Sequence, residues 1–217
     1  MSTVPARPVA NAAVLLHDVD WKTYGRLVWT FAERPRVRLT YDRGRLEIMS
    51  PSLGHESDAD FLGQLIIVLT EELALPCLPG GATTLRRRGV RRGLEPDRCY
   101  WTASEAGVRG KKRIDLRVDP PPDLAVEVDV TSSSLDRLRI YAALGVPEVW
   151  RLEAGVLTFH LLAGGAYSPG ARSRSFPAVA PADLMGFVGA RAAQGETGVR
   201  QQFRAWLRQT LGGPPVP

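Results

Sequence analysis

The acidic side chains Asp97, Asp123, Glu127 and Asp129 are the groups in this sequence best suited to chemistry. Carboxylates that converge within a few ångströms can hold a divalent cation, which activates water and stabilises charge on phosphoryl oxygens. Three of the four lie in one run, Asp123-Leu124-Ala125-Val126-Glu127-Val128-Asp129. In a strand, successive side chains alternate faces, so Asp123 and Glu127 share a face but lie roughly 13 Å apart, too far for one ion. Glu127 and Asp129 share a face at about 6.6 Å, close enough to line one site. A carboxylate from a neighbouring strand would complete it, and Asp97 in Leu94-Glu95-Pro96-Asp97 is the natural donor.

These acids need a scaffold, and the hydrophobic pattern outlines one. Trp21, Tyr24, Leu27, Val28 and Phe31 recur at helical spacing, and Pro35 ends that helix. Val37–Tyr41 and Leu46–Met49 alternate about Asp42-Arg43-Gly44, which predicts a hairpin. A long helix follows with Ala59, Leu62, Leu65, Ile66, Leu69 and Leu73 on its apolar line. Strands are expected at Thr83–Leu85 and Asp97–Trp101, with the basic run Arg86–Arg92 between them as a solvated loop, an edge strand or a phosphate contact. The nearly continuous apolar run Leu124–Val130 reads as a strand buried on both faces. Ser132-Ser133-Ser134 offer caps for a helix from about Leu135 to Leu144, closed by Gly145. The runs Val149–Leu152 and Val156–Leu161 then turn at Ala154-Gly155, so strand, helix and strand imply a crossover within one sheet. Gly164–Ser175 reads as a loop, and helices are expected around Leu184 and Phe203–Leu211. The expected organisation is a loose segment 1–18, one domain over 19–190, and a C-terminal helix and tail over 191–217.

With 217 residues, 44% of them hydrophobic, the chain has material for one well-formed core. No stretch approaches the roughly 20 apolar residues of a membrane span, and the N-terminus has no charged segment followed by an apolar run, so the expected location is cytoplasmic. Cys77 and Cys99 form neither a CxxC pair nor a disulfide framework. Three scattered histidines and two separated cysteines give no zinc spacing. The net charge is +5, and only Lys22, Lys111 and Lys112 are lysines. An arginine excess suits bidentate phosphate binding, and a GC-rich genome would produce it as well.

Several segments, in order, resemble a known family. Gly44–Pro51 with His55-Glu56, Glu95-Pro96-Asp97, Pro122–Val128 and Tyr141–Trp150 are similar to the Uma-type (Uma two) restriction endonuclease family of the PD-(D/E)xK nuclease-like superfamily. The resemblance covers roughly residues 20 to 190. It implies an α/β, restriction-endonuclease-like fold, a four-to-five-stranded mixed β-sheet flanked by helices. It further implies Mg2+ or Mn2+ held by Asp97 and Glu127, and in-line hydrolysis of a phosphodiester, with DNA as the expected nucleic acid and a homodimer that cuts both strands.

The chain departs from that pattern at the lysine. The superfamily usually carries one two residues after the second acid, where Asp129 stands, and Uma-type relatives place it on the following helix, where Arg137 stands. Arg137 is in register with Ile140, Tyr141 and Leu144, so it should point inward, with Glu127 or Asp129 as its anionic partner. Two roles are open for it, a phosphate or transition-state contact and a structural salt bridge; a guanidinium cannot take a proton from water. His55 lies on the inward line of its helix, either as a proton carrier or phosphate contact, or capped by a backbone carbonyl. Glu47 faces either the site or solvent; His160 reads as a sheet-surface residue, and His17 falls in the loose first segment. Two functions compete: a metal-dependent endonuclease with Asp97, Glu127, Asp129, Arg137, His55 and Glu47 at its site, and a catalytically inactive nuclease-fold protein that binds nucleic acid or a protein.

Overall fold

The computed structural model describes residues 12–32, 34, 37–129 and 133–211. The expected helix stop at Pro35, the cap at Ser132, the tail from Gly212 and the side chain of Asp129 lie outside the described residues.

The chain folds in the order β1 (Ala12–Leu16), α1 (Trp21–Phe31), β2 (Arg38–Asp42), β3 (Arg45–Ser50), α2 (Leu53–Glu72), β4 (Leu78–Pro79), β5 (Leu85–Arg87), β6 (Arg92–Leu94), β7 (Arg98–Trp101), β8 (Leu124–Asp129), α3 (Arg137–Leu144), β9 (Glu148–Glu153), β10 (Val156–Ala163), β11 (Ala166–Gly170), α4 (Pro181–Gln194) and α5 (Glu196–Leu211). The α/β class holds, but the strands divide between two sheets. One is antiparallel, in the order β1-β3-β2-β6-β5; the other is mixed, in the order β11-β10-β9-β8-β7-β4, with β8 and β9 as its parallel pair. The mixed sheet is therefore six-stranded, wider than expected.

The β2–β3 hairpin turns on Arg43 and Gly44, both at positive φ (51° and 101°), the two-residue geometry that matches strand twist. Central strand β8 is buried on both faces. Leu124, Val126 and Val128 pack with Leu62, Ile66 and Leu69 of α2 and with Phe203 and Leu207 of α5, while Ala125 packs with Ile140, Tyr141 and Leu144 of α3 and with Leu85 and Leu94 of the antiparallel sheet. By alternation Glu127 shares the Ala125 face, toward α3. On the antiparallel sheet Leu39, Tyr41 and Leu46 pack against Tyr24 of α1, which turns Thr40 and its cross-strand partner Glu47 to the opposite face, also toward α3.

Several expectations need correction. Residues 12–16, within the segment read as loose, form edge strand β1 paired with β3. Of the readings of the basic run, the edge strand holds for β5, but the run as a whole is an ordered hairpin, β5 and β6 about a short 3-10 turn, in which Arg92 is buried against Asp42 at 2.7 Å. Asp97 immediately precedes β7 instead of lying within it. Asp136, not a serine, caps α3 by accepting from Arg139 N at 3.0 Å. The loop expected after Gly164 contains β11, a hairpin partner of β10. Helix α5 contributes Val199, Phe203 and Leu207 to the main core. Among the described residues, no helix is long and apolar enough to cross a membrane.

Candidate functional site

Asp97 and Glu127 come together because β7 runs antiparallel to β8. The pairing Arg98↔Val126, carried one step further, sets Asp97 opposite Glu127. Asp97 lies past the end of the ladder, and its carboxylate takes the place of a strand partner: Oδ2 accepts from Val128 N at 2.8 Å. Oδ1 faces His55 Nε2 at 2.8 Å, an ion-pair distance, although neither ring nitrogen has the alignment of a hydrogen bond. His55 reaches it from the first turn of α2, whose N-cap Ser52 accepts from His55 N. Its partner is thus a carboxylate and not a backbone carbonyl. Burial works against a charged imidazole here; the adjacent Asp97, with Glu127 and Glu56 beyond it, outweighs burial and raises the ring above its ordinary value.

Glu127 is saturated from helix α3. Arg137 Nε donates to Oε2 at 2.8 Å and Nη2 to Oε1 at 2.7 Å, a bidentate fork, and the Tyr141 hydroxyl donates to Oε1 as well. The rest of the guanidinium is also used: Nη1 donates to Thr40 Oγ1 at 2.5 Å and Nη2 to the Glu95 carbonyl at 2.8 Å. Burial pushes the Glu127 carboxyl upward, opposed by Arg137 and reinforced by Asp97. Burial opposes the Arg137 charge too, yet Glu127 and its neighbours hold that guanidinium above its usual range. These directions pull apart on whether the pair is charged, and the fork decides it, because three donors converging on one carboxylate fit an anion facing a cation.

Glu47, only 1% exposed, faces this side of its sheet. It does not join the acidic pair; it accepts from Ser133 Oγ at 2.9 Å and Ser134 N at 2.6 Å, fixing the chain that leads into α3. Asp123, which strand spacing removes from the site, accepts from Thr102 N, Ser104 N and Ser104 Oγ within 3.0 Å and organises the turn after β7. The backbone of Asp129 pairs with Glu153. His160 lies half-buried, edge-on to Tyr167. Outside the cluster, Glu56 pairs with Arg38 at 3.0 Å and Arg98 at 3.6 Å, and Arg98 reaches Asp60 at 3.2 Å. Sequence reasoning missed Tyr141 and Thr40 as members. Tyr141, four residues after Arg137 on the same face, carried a readable signal; Thr40 carried none.

The chain matches the Uma2 family model, described as "Putative restriction endonuclease", over residues 21–183. This chain belongs to the Uma2 family. The Uma2 protein is also similar to a solved structure described as a putative nuclease belonging to DUF820 from Anabaena variabilis, with 12% identity, a TM-score of 0.47, and coverage of 68% of this chain and 89% of that one. No curated protein matches it.

Proteins of the restriction-endonuclease-like kind generally use divalent metals, so the Uma2 cluster can be tested for fit. Among its described residues no group of three His, Cys, Asp or Glu side chains is arranged to hold an ion. Each oxygen of Asp97 and Glu127 already faces a donor or a cation. These acids are 2% and 7% exposed, leaving little space for the waters that Mg2+ retains. As arranged, the described side chains of the site do not fit a divalent ion.

Proposed function

We propose that this Uma2 protein binds nucleic acid, DNA being the expected form, and that its acidic pair is held in a closed ion-pair cluster that does not hydrolyse phosphodiesters. Family membership and the +5 charge support the nucleic-acid partner. The Arg137 fork on Glu127 carries the remainder, because it spends on an internal cation the carboxylate that a metal would require. The test incubates purified protein with supercoiled, linear and single-stranded DNA and with RNA, in Mg2+ or Mn2+. Cleavage no greater than that of Glu127→Ala, together with nucleic-acid binding that weakens steeply as salt rises, is the expected result. Cleavage abolished by Asp97→Ala or Glu127→Ala would overturn it.

That last outcome would establish the second reading, a Mg2+- or Mn2+-dependent endodeoxyribonuclease. Its ligands would be Asp97 and Glu127 with Asp129 as a third carboxylate, Arg137 on phosphate, and His55 and Glu47 alongside. The side-by-side placement of Asp97 and Glu127 at the β7–β8 junction favours it. It requires Arg137 to leave Glu127. A homodimer suited to cutting both strands belongs to this reading and is measured by light scattering, and the cytoplasmic location of either reading by cell fractionation.

A further inference from the structure

A second feature of the surface lies across the antiparallel sheet from the cluster. Trp29, on the outer side of α1, is 63% exposed, the most exposed aromatic among the large hydrophobic side chains. It forms the common wall of two adjoining hollows lined by Lys22, Arg26, Arg86, Lys112 and Arg113. These five cations come from three separate parts of the chain, and none makes an ion pair with a described residue. Among the described residues, no carboxylate lines either hollow. The acids that sense these cations are otherwise committed: Asp20 caps α1 through Thr23 N, and Asp115 is forked by Arg117. The Arg113 guanidinium lies 4.8 Å from the centroid of the Trp29 ring, which fixes the indole and leaves it in an electropositive setting.

An indole that is 63% exposed among uncompensated cations matches the two components of a single nucleic-acid strand, a base with an open face and a chain of phosphates. A duplex offers only the second, because its bases are stacked on one another. We infer that this groove is a binding surface for single-stranded nucleic acid, with a base stacked on Trp29 and the backbone following Lys22, Arg26, Arg86, Lys112 and Arg113. This rests on the nucleic-acid reading above and adds the form of the strand and the place where it lies. One relay of hydrogen bonds links the groove to the cluster. Thr84, in its wall, donates to Glu95 Oε1 at 2.8 Å, and the Glu95 carbonyl accepts from Arg137.

The test is anisotropy of a fluorescein-labelled oligothymidylate, and of a duplex of the same length, titrated with the full chain over a range of salt. The single strand should bind more tightly than the duplex. Trp29→Ala should weaken it roughly ten-fold, and Trp29→Phe, which keeps a stacking face, should restore most of that. Arg26→Ala and Lys112→Ala should each lower the salt slope by about 0.7. Circular dichroism checks that the variants fold. Wild-type binding that Trp29→Ala leaves unchanged, or a preference for duplex, overturns the groove while leaving the nucleic-acid reading intact. Failure of every DNA and RNA form to bind overturns both.

Discussion

Replacing Arg137 with alanine tests the closed cluster most directly. The guanidinium makes four contacts, two with Glu127 and one each with Thr40 and the Glu95 carbonyl. Without it, Glu127, 7% exposed in the wild type, keeps Tyr141 as its side-chain donor. Breaking a buried ion pair by deleting one partner costs about 3–5 kcal/mol. In a chain of this size each kcal/mol moves Tm by about 2–4 °C, so the loss should be on the order of 10 °C. The deficit also has a pH signature. Burial already raises Glu127 in the folded state, and Arg137→Ala removes the strongest opposing influence. A carboxyl raised in the folded state destabilises it when ionised, so the variant's deficit should shrink as pH falls and the proton returns. Manganese supplies the second measurement. A cation binding only the folded form adds about 2.7 kcal/mol at a hundred times its Kd, so differential scanning calorimetry should show Mn2+ raising the Tm of Arg137→Ala and not that of the wild type. The double variant Arg137→Met with Glu127→Gln should recover stability, because no buried charge is stranded. A single variant that melts with the wild type, or a wild type that gains as much from Mn2+, would refute the reasoning.

Three further predictions concern the surroundings of the cluster. His55→Gln should remove a pH-dependent part of stability: because the imidazole is raised in the folded protein, its contribution is full below the unfolded value of 6.5 and is lost as pH rises through the folded one. The Tm gap between wild type and His55→Gln should therefore narrow toward alkaline pH, and parallel curves would count against the Asp97 contact. Asp123→Ala strips three donors of their acceptor and should cost about 1–3 kcal/mol in urea unfolding while leaving nucleic-acid affinity unchanged. Gly44→Ala forces a side chain into φ +101° at the β2–β3 turn and should cost about 1 kcal/mol or more by the same measurement.

Local periodicity reached far into this fold. The apolar line of α2, the turn at Arg43-Gly44 and the burial of β8 on both faces all depend on neighbours within a few residues, and all three are present. The inward direction of Arg137 was legible for the same reason. Strand β1 was not: it is a short edge strand whose Val14 is 56% exposed, so burial left no alternation to read. Strand β11 lay hidden among Gly, Ser and Pro because it is held by the β10 ladder, not by its own composition. The contacts that close the cluster span long separations, with Thr40 97 residues from Arg137 and Glu47 87 from Ser134. Such pairings follow from how the two sheets face α3, which no spacing rule within a segment encodes.

Arginine at this helix position does what the lysine expected from the family resemblance could not, although both residues carry one positive charge. An ammonium is a point donor and leaves part of a carboxylate free for other partners. A guanidinium is a planar fork that covers both oxygens of Glu127 and still has nitrogens for Thr40 and Glu95. With Tyr141 added, the carboxylate is enclosed. Charge leads to the same conclusion: Asp97 and Glu127 already face Arg137 and a His55 imidazole that Asp97 biases toward its charged form, and a dication would add two positive charges beside them. Above the folded pKa of His55 one positive charge fewer faces the acids. Any residual metal affinity of the wild-type cluster should therefore increase with pH across the His55 titration, which Mn2+ titration calorimetry at several pH values would measure.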